Sequence, residues 1–206
     1  MNKFIFAIDT INTWVGKVFG WCIVLLTFAT SYEVFARYVF KAPTEWAYDA
    51  AYILYGTLFM MAGAYTLARN GHVRGDWLYR EWPARRQAAV ELLLYFIFFF
   101  PGVLALVYAG FHFAKLSWLM HEHSAASPNG PPIYHFKTII PLTGILLVLQ
   151  GMAEVARCVM CLRTGAWPSR LHDVEELETA ILHEKEYQAA HEAIEAQKAG
   201  AAEGGR

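Results

Sequence analysis

Charged residues are scarce in this chain. Asp, Glu, Lys and Arg make up 17% of its 206 residues, against roughly 25% in an ordinary soluble domain. The scarcity is concentrated in four apolar stretches, 18–40, 46–68, 88–113 and 139–162. Each is near or above the ~20 residues with which a helix crosses a bilayer. A soluble domain of this length would show charges at helical spacing through every one of them. The sequence therefore predicts an all-α integral membrane protein with four transmembrane helices. Helices are expected because lipid offers no partner to a backbone amide.

Cysteine is equally scarce. Cys22, Cys158 and Cys161 all lie in or beside apolar stretches, which argues against a disulfide framework. Cys158 and Cys161 form a CxxC, but it stands alone at a predicted cytoplasmic helix end, so a redox or zinc role is not expected. No small-residue cleavage site precedes the first long apolar run, so the first helix is expected to stay as an anchor. Serine, histidine and acid do not converge as an enzyme would need, and the chain is expected not to be one. His72 has no second ligand at metal spacing. Of eight histidines only His112 lies within a core stretch, which supplies a bis-histidine haem site poorly. No cofactor and no metal are expected. A cytochrome b-like membrane anchor of a respiratory oxidoreductase is the alternative reading. Internal repeats and midplane polar residues, the marks of a self-sufficient transporter, are also missing.

The charges that are present are unevenly placed. Residues 1–170 carry 14 Lys/Arg against 9 Asp/Glu, and residues 171–206 carry 3 against 9. This balance divides the chain into a membrane domain, 1–170, and an acidic helical tail, 171–206, and does not suggest nucleic-acid binding. Arg69, Arg74, Arg80, Arg85 and Arg86 cluster after the second stretch, while the first and third loops hold few cations. The positive-inside rule then puts both termini in the cytoplasm.

Several local features suggest themselves. Residues 2–15 read as an amphipathic helix with Phe4, Ile8, Ile11 and Val15 on one face, either lying in the interface or extending helix one. Glu33 and Arg37 form an i,i+4 pair near the outer end of helix one. Thr44 is placed to cap helix two, with Glu45 in its first turn and Trp46 in the aromatic belt. Asp49 is either a first-turn acid or a partner for Arg37. Gly56, Gly63 and Ala64 allow close helix approach. A short interfacial helix is expected after helix two, beginning at Trp77 and capped by Asp76, with Gly75 permitting the turn before it. Pro101-Gly102 predicts a kink in helix three, and Pro141 is placed in the first turn of helix four. Residues 118–132 read as an exposed outer loop with little regular structure. Glu154 is expected to pair with Arg157. The tail over 173–199 reads as a soluble helix.

Four segments carry a family resemblance: Glu33-Val34-Phe35-Ala36-Arg37-Tyr38-Val39-Phe40, Pro43-Thr44-Glu45-Trp46, Gly63-Ala64-Tyr65-Thr66-Leu67, and His72-Val73-Arg74-Gly75-Asp76. Over roughly residues 10–165 the chain resembles the small permease (DctQ-type) subunit of tripartite ATP-independent periplasmic transporters. Residues 124–132 and 137–142 resemble the branch labelled for mannitol/chloroaromatic compounds or 2-oxo acids. Where family members open helix two with an acid pair, this chain has Tyr48-Asp49, so Asp49 alone takes that role.

The resemblance implies a multi-pass subunit in the bacterial inner membrane. Its partners would be membrane lipid, a large permease that carries substrate and Na⁺, and, through the complex, a periplasmic substrate-binding protein. It implies a stator for ion-driven symport of an organic acid, with no substrate pocket of its own. The residues expected to shape the partner surface are Glu33, Arg37, Tyr38, Glu45, Trp46, Asp49, His72, Arg74, Gly75 and Asp76.

Overall fold

The computed structural model describes residues 2–72, 79, 81–168 and 187. The chain divides into two compact units, Met1–Leu171 and His172–Arg206. The expected tail helix falls outside the described residues, Tyr187 excepted. Regular structure in the first unit is helical, and the one extended pairing among the described residues is an isolated antiparallel bridge, His123 to Pro132.

Four helical spans are long and apolar enough to cross a membrane: Lys3–Tyr38, Ala47–Ala68, Ala84–Leu119 and Tyr134–Thr164. Three are longer than the apolar runs suggested. The 36 residues of the first and third correspond to about 54 Å of helix, well beyond the ~30 Å of hydrocarbon. The surplus is accommodated by tilting or by projecting past the lipid. The end bearing Asn2, Arg69 and Gly165 is termed inner, and the end bearing the loops 39–46 and 120–133 outer.

The first span consists of α1 (Asn2–Gly20) and α2 (Cys22–Tyr38), joined at Trp21, whose backbone remains near-helical. Residues 2–15 thus extend helix one, and the face expected for them needs correction. Phe4 and Ile11 are exposed, whereas Ile5, Ile8, Asp9 and Asn12 are buried. The buried stripe still follows i, i+3, i+4, i+7, but two of its members are polar.

The second span is α3 (Ala47–Ala68). It ends on Asn70, which takes a left-handed conformation (φ 56°) so that the Gly71 N–H reaches the Thr66 carbonyl at 2.9 Å, closing the helix as a Schellman turn.

The third span runs α4 (Ala84–Leu94), a π-helical turn (Tyr95–Phe99) and α5 (Phe100–Leu119) without interruption. The kink expected at Pro101 falls just after that widened turn. Pro101 lacks an N–H, and its ring would press on the carbonyl four residues back. One extra residue in the preceding turn moves that carbonyl aside.

The fourth span, α6 (Tyr134–Thr164), begins earlier than expected, so Pro141 lies about two turns inside it rather than in its first turn. Gly165, at φ 83°, closes it by returning its N–H to the Cys161 carbonyl at 2.8 Å.

α6 is the central helix and packs against α1, α3, α4 and α5. Met61, Ala64 and Leu146 bind α3 to it, Ile5, Ile8 and Ala153 bind α1, and Ala88, Tyr95, Cys158 and Cys161 bind the third span. The helices therefore stand in a row, α2–α3–α6–α5, with α1 filling the inner end against α3 and α6. At one edge, α2 buries only Ala36.

Candidate functional site

Two polar constellations hold this row together, one at each end. At the outer end Glu33 accepts from Arg37 through one carboxylate oxygen, Nη2 at 2.5 Å and Nε at 2.9 Å. Its other oxygen accepts from the Thr44 backbone N–H at 2.9 Å and from the Thr44 hydroxyl. Thr44 therefore does not cap α3, whose N-cap position is Trp46 with no side-chain bond. Thr44 stands two residues before the N-cap position, and its hydroxyl hydrogen goes to the ionised Glu33 carboxylate, a strong acceptor. Trp46 instead stacks on Tyr32, ring centroids 6.0 Å apart.

Asp49 does lie in the first turn of α3, but Arg37 is not its partner. It is 1% exposed and accepts from the Ser124 hydroxyl and from the Ser127 hydroxyl, the latter at 2.5 Å. Ser127 also lies 2.7 Å from the Glu45 carbonyl. It has one hydrogen to give, so it serves one acceptor at a time. The outer loop is thus tied over the start of α3, and it is more ordered than its composition suggested. The Ser124 N–H bonds the Pro131 carbonyl and the Ile133 N–H the Glu122 carbonyl, at 2.9 and 3.0 Å. Glu122 closes the loop by pairing with Lys137 at 2.5 Å. That hydrogen bond holds the Glu122 carboxyl below the usual carboxylate range. Tyr38 and Glu45 remain exposed beside this rim.

The inner constellation was only half visible in the sequence. Glu154 pairs with Arg157 at 2.5 Å, as expected. Arg157 also pairs with Asp9 of α1. Gln150 donates to Asp9 at 3.0 Å and to Glu154 at 3.1 Å, and accepts from Asn12 at 2.7 Å. All five side chains are buried. Beside them Glu91 accepts from the Tyr79 hydroxyl, and the Cys158 thiol lies 3.9 Å from its other oxygen. Asp9 and Asn12 were missed because they looked like the polar side of an interfacial helix. Their i,i+3 spacing, shared with Ile5 and Ile8, was the available signal.

His72 is exposed just past α3, and Arg69 lies 5.0 Å over the Tyr65 ring. Arg74, Gly75 and Asp76, with the interfacial helix expected after them, fall outside the described residues. His112 is exposed on α5.

Among known families, the model of "Tripartite ATP-independent periplasmic transporters, DctQ component" matches residues 18–161. The match takes in both loops of the outer rim and three of the five residues of the inner network, Gln150, Glu154 and Arg157, together with neighbouring Glu91; Asp9 and Asn12 of α1 precede it. It lends no support to a respiratory anchor. The search of curated proteins gave no match.

Proposed function

Since the chain belongs to the family of the DctQ component of tripartite ATP-independent periplasmic transporters, and is on that account a small transporter subunit rather than an enzyme, we propose that it is the fixed scaffold for the large permease. The family match over most of the membrane unit carries this reading. Supporting it, the polar groups buried or half-buried at the two ends of the row tie helices and loops to one another. A part that must stay still while its partner moves needs such ties.

In this reading the substrate is an organic acid, of the mannitol/chloroaromatic or 2-oxo acid-like branch, delivered by a periplasmic binding protein. The protein sits in the bacterial inner membrane with both termini in the cytoplasm. The rim formed by Glu33, Arg37, Tyr38, Glu45, Trp46 and Asp49, together with His72, Arg74, Gly75 and Asp76, shapes surfaces that meet the partners. Residues 1–170 act as the membrane domain and 171–206 as a separate tail.

The test is reconstitution. The chain alone should give no uptake and no saturable substrate binding. With its large permease and binding protein it should be required for uptake that follows an imposed ion gradient and persists without ATP. Saturable binding of an organic acid to the isolated chain would overturn the scaffold role.

A further inference from the structure

α5 meets α6 along one stripe and turns another away from it. Val107 fills the space beside Gly144, and Gly110 lies against Ile140 and Pro141. Ala114 and Ser117 continue that stripe and are buried. Tyr108, His112, Lys115 and Leu119 follow the same helical spacing on the opposite side. All four are exposed, Tyr108 by 71%.

Three of these outward side chains carry polar groups with no hydrogen-bond partner among the described residues. Tyr108 and His112 meet edge to face at 4.6 Å, and His112 also touches the Phe111 ring. Lys115 has no ion pair among them either. Lys137, nearby on α6, shows the contrast: it has Glu122 at 2.5 Å and the Phe113 ring at 4.0 Å.

Depth makes this arrangement costly in lipid. Trp118 donates to Thr138 at 2.8 Å and sits where interfacial aromatic belts sit. Lys115 is about 4.5 Å and His112 about 9 Å further along the axis toward the membrane centre. A lysine stem can snorkel that distance, but a histidine ring is too short. Such side chains ordinarily face protein or a watered cavity rather than acyl chains. The α2 edge makes no such demand. Its charges, Glu33 and Arg37, satisfy each other, its exposed Thr27 and Thr30 hydroxyls donate to carbonyls of their own helix at 2.8 Å, and Phe28 and Phe35 stand exposed among them.

Building on the small-subunit reading, we propose that the Tyr108–His112–Lys115 stripe of α5 is the docking face for a transmembrane helix of the large permease that presents a carboxylate or other hydrogen-bond acceptor at that depth. The α2 edge then faces lipid along its apolar length.

Photo-crosslinking in the assembled complex tests this. A photoreactive residue in place of Tyr108 or His112 should capture the large permease, and one in place of Phe28 should not. Capture of a second copy of this chain, or of lipid alone, at positions 108 and 112 overturns the proposal. Lys115→Glu should lower recovery of the complex by about tenfold or more, since like charges at such a contact cost several kcal/mol, while Lys115→Arg restores it. Unchanged recovery for Lys115→Glu, at equal membrane levels of the chain, also overturns it. If the unaltered chain recovers no large permease at all, the small-subunit reading itself falls and takes this face with it.

Discussion

Arg157 is the residue on which most of the inner end depends. It is 2% exposed and lies between Asp9 of α1 and Glu154 of its own helix. A buried pair that loses one member leaves an uncompensated charge, which costs about 3–5 kcal/mol. Arg157→Ala should therefore lower the thermal midpoint of the detergent-solubilised chain sharply. Asp9→Asn should do less, because Glu154 still faces the guanidinium. A midpoint unmoved by Arg157→Ala would mean that the Arg157–Asp9 pair does not hold α1 in place. Glu122 offers a milder case. Its carboxyl titrates below the ordinary range because Lys137 donates to it, so its contribution is fully present above an ordinary carboxylate value, ~4.3. That contribution is lost as pH falls through the lowered value. The outer loop should keep its protease resistance at neutral and mildly acidic pH and lose it only in stronger acid. Glu122→Gln should flatten that response.

Glycines separate what an element's sequence reveals from what it conceals. Gly56, Gly63 and Ala64 drew notice as small residues in one apolar helix. Gly56 does lie against Phe136, but Gly63 meets only one side-chain carbon, at 3.8 Å. α1 approaches α3 tightly at Gly16, where a Cβ would stand 2.5 Å from the Tyr65 Cβ. Small size shows that an approach is possible and is silent on whether a neighbour comes. Gly16→Ala should force the two helices apart and cost about 1–3 kcal/mol. Gly102→Ala is the matched control, since nothing stands within 4 Å of its site, and alanine there should be neutral or stabilising by about 0.5–1 kcal/mol. Equal melting behaviour of the two variants would contradict the packing of α1 on α3. Pro101 teaches a similar lesson. The proline announced a disturbance, but whether a helix bends or widens depends on its neighbour. Here Phe99 and Phe100 fill the space left by Gly151 on α6, and that contact is invisible from the third span alone.

At the scale of the whole molecule, the number of crossings was legible because hydropathy over ~20 residues is a local property. The row was not, because it depends on which helix touches which. Nor was the tether from the outer loop to Asp49, which joins residues 75 and 78 positions apart. Four spans put the two ends of the membrane unit on the same side by parity alone. The proposed side rests on charge: Arg69, Arg85, Arg86 and Arg163 flank the inner ends of the spans, and the positive-inside rule assigns short basic loops to the cytoplasm. In the proposed orientation the outer loop faces the periplasm. Cys158 and Cys161 are buried, so replacing Cys22 with alanine leaves no native thiol in ready reach of a reagent. In that background, a cysteine in place of Asn129 should react with an impermeant thiol reagent on cells whose outer membrane has been made permeable. One in place of Gln197 should react only after the inner membrane is opened. The reverse pattern would invert the protein in the membrane and turn the serine-tethered loop, with the Glu122–Lys137 pair, toward the cytoplasm. Labelling of both sites before opening would break the parity and mean that one of the four spans does not cross.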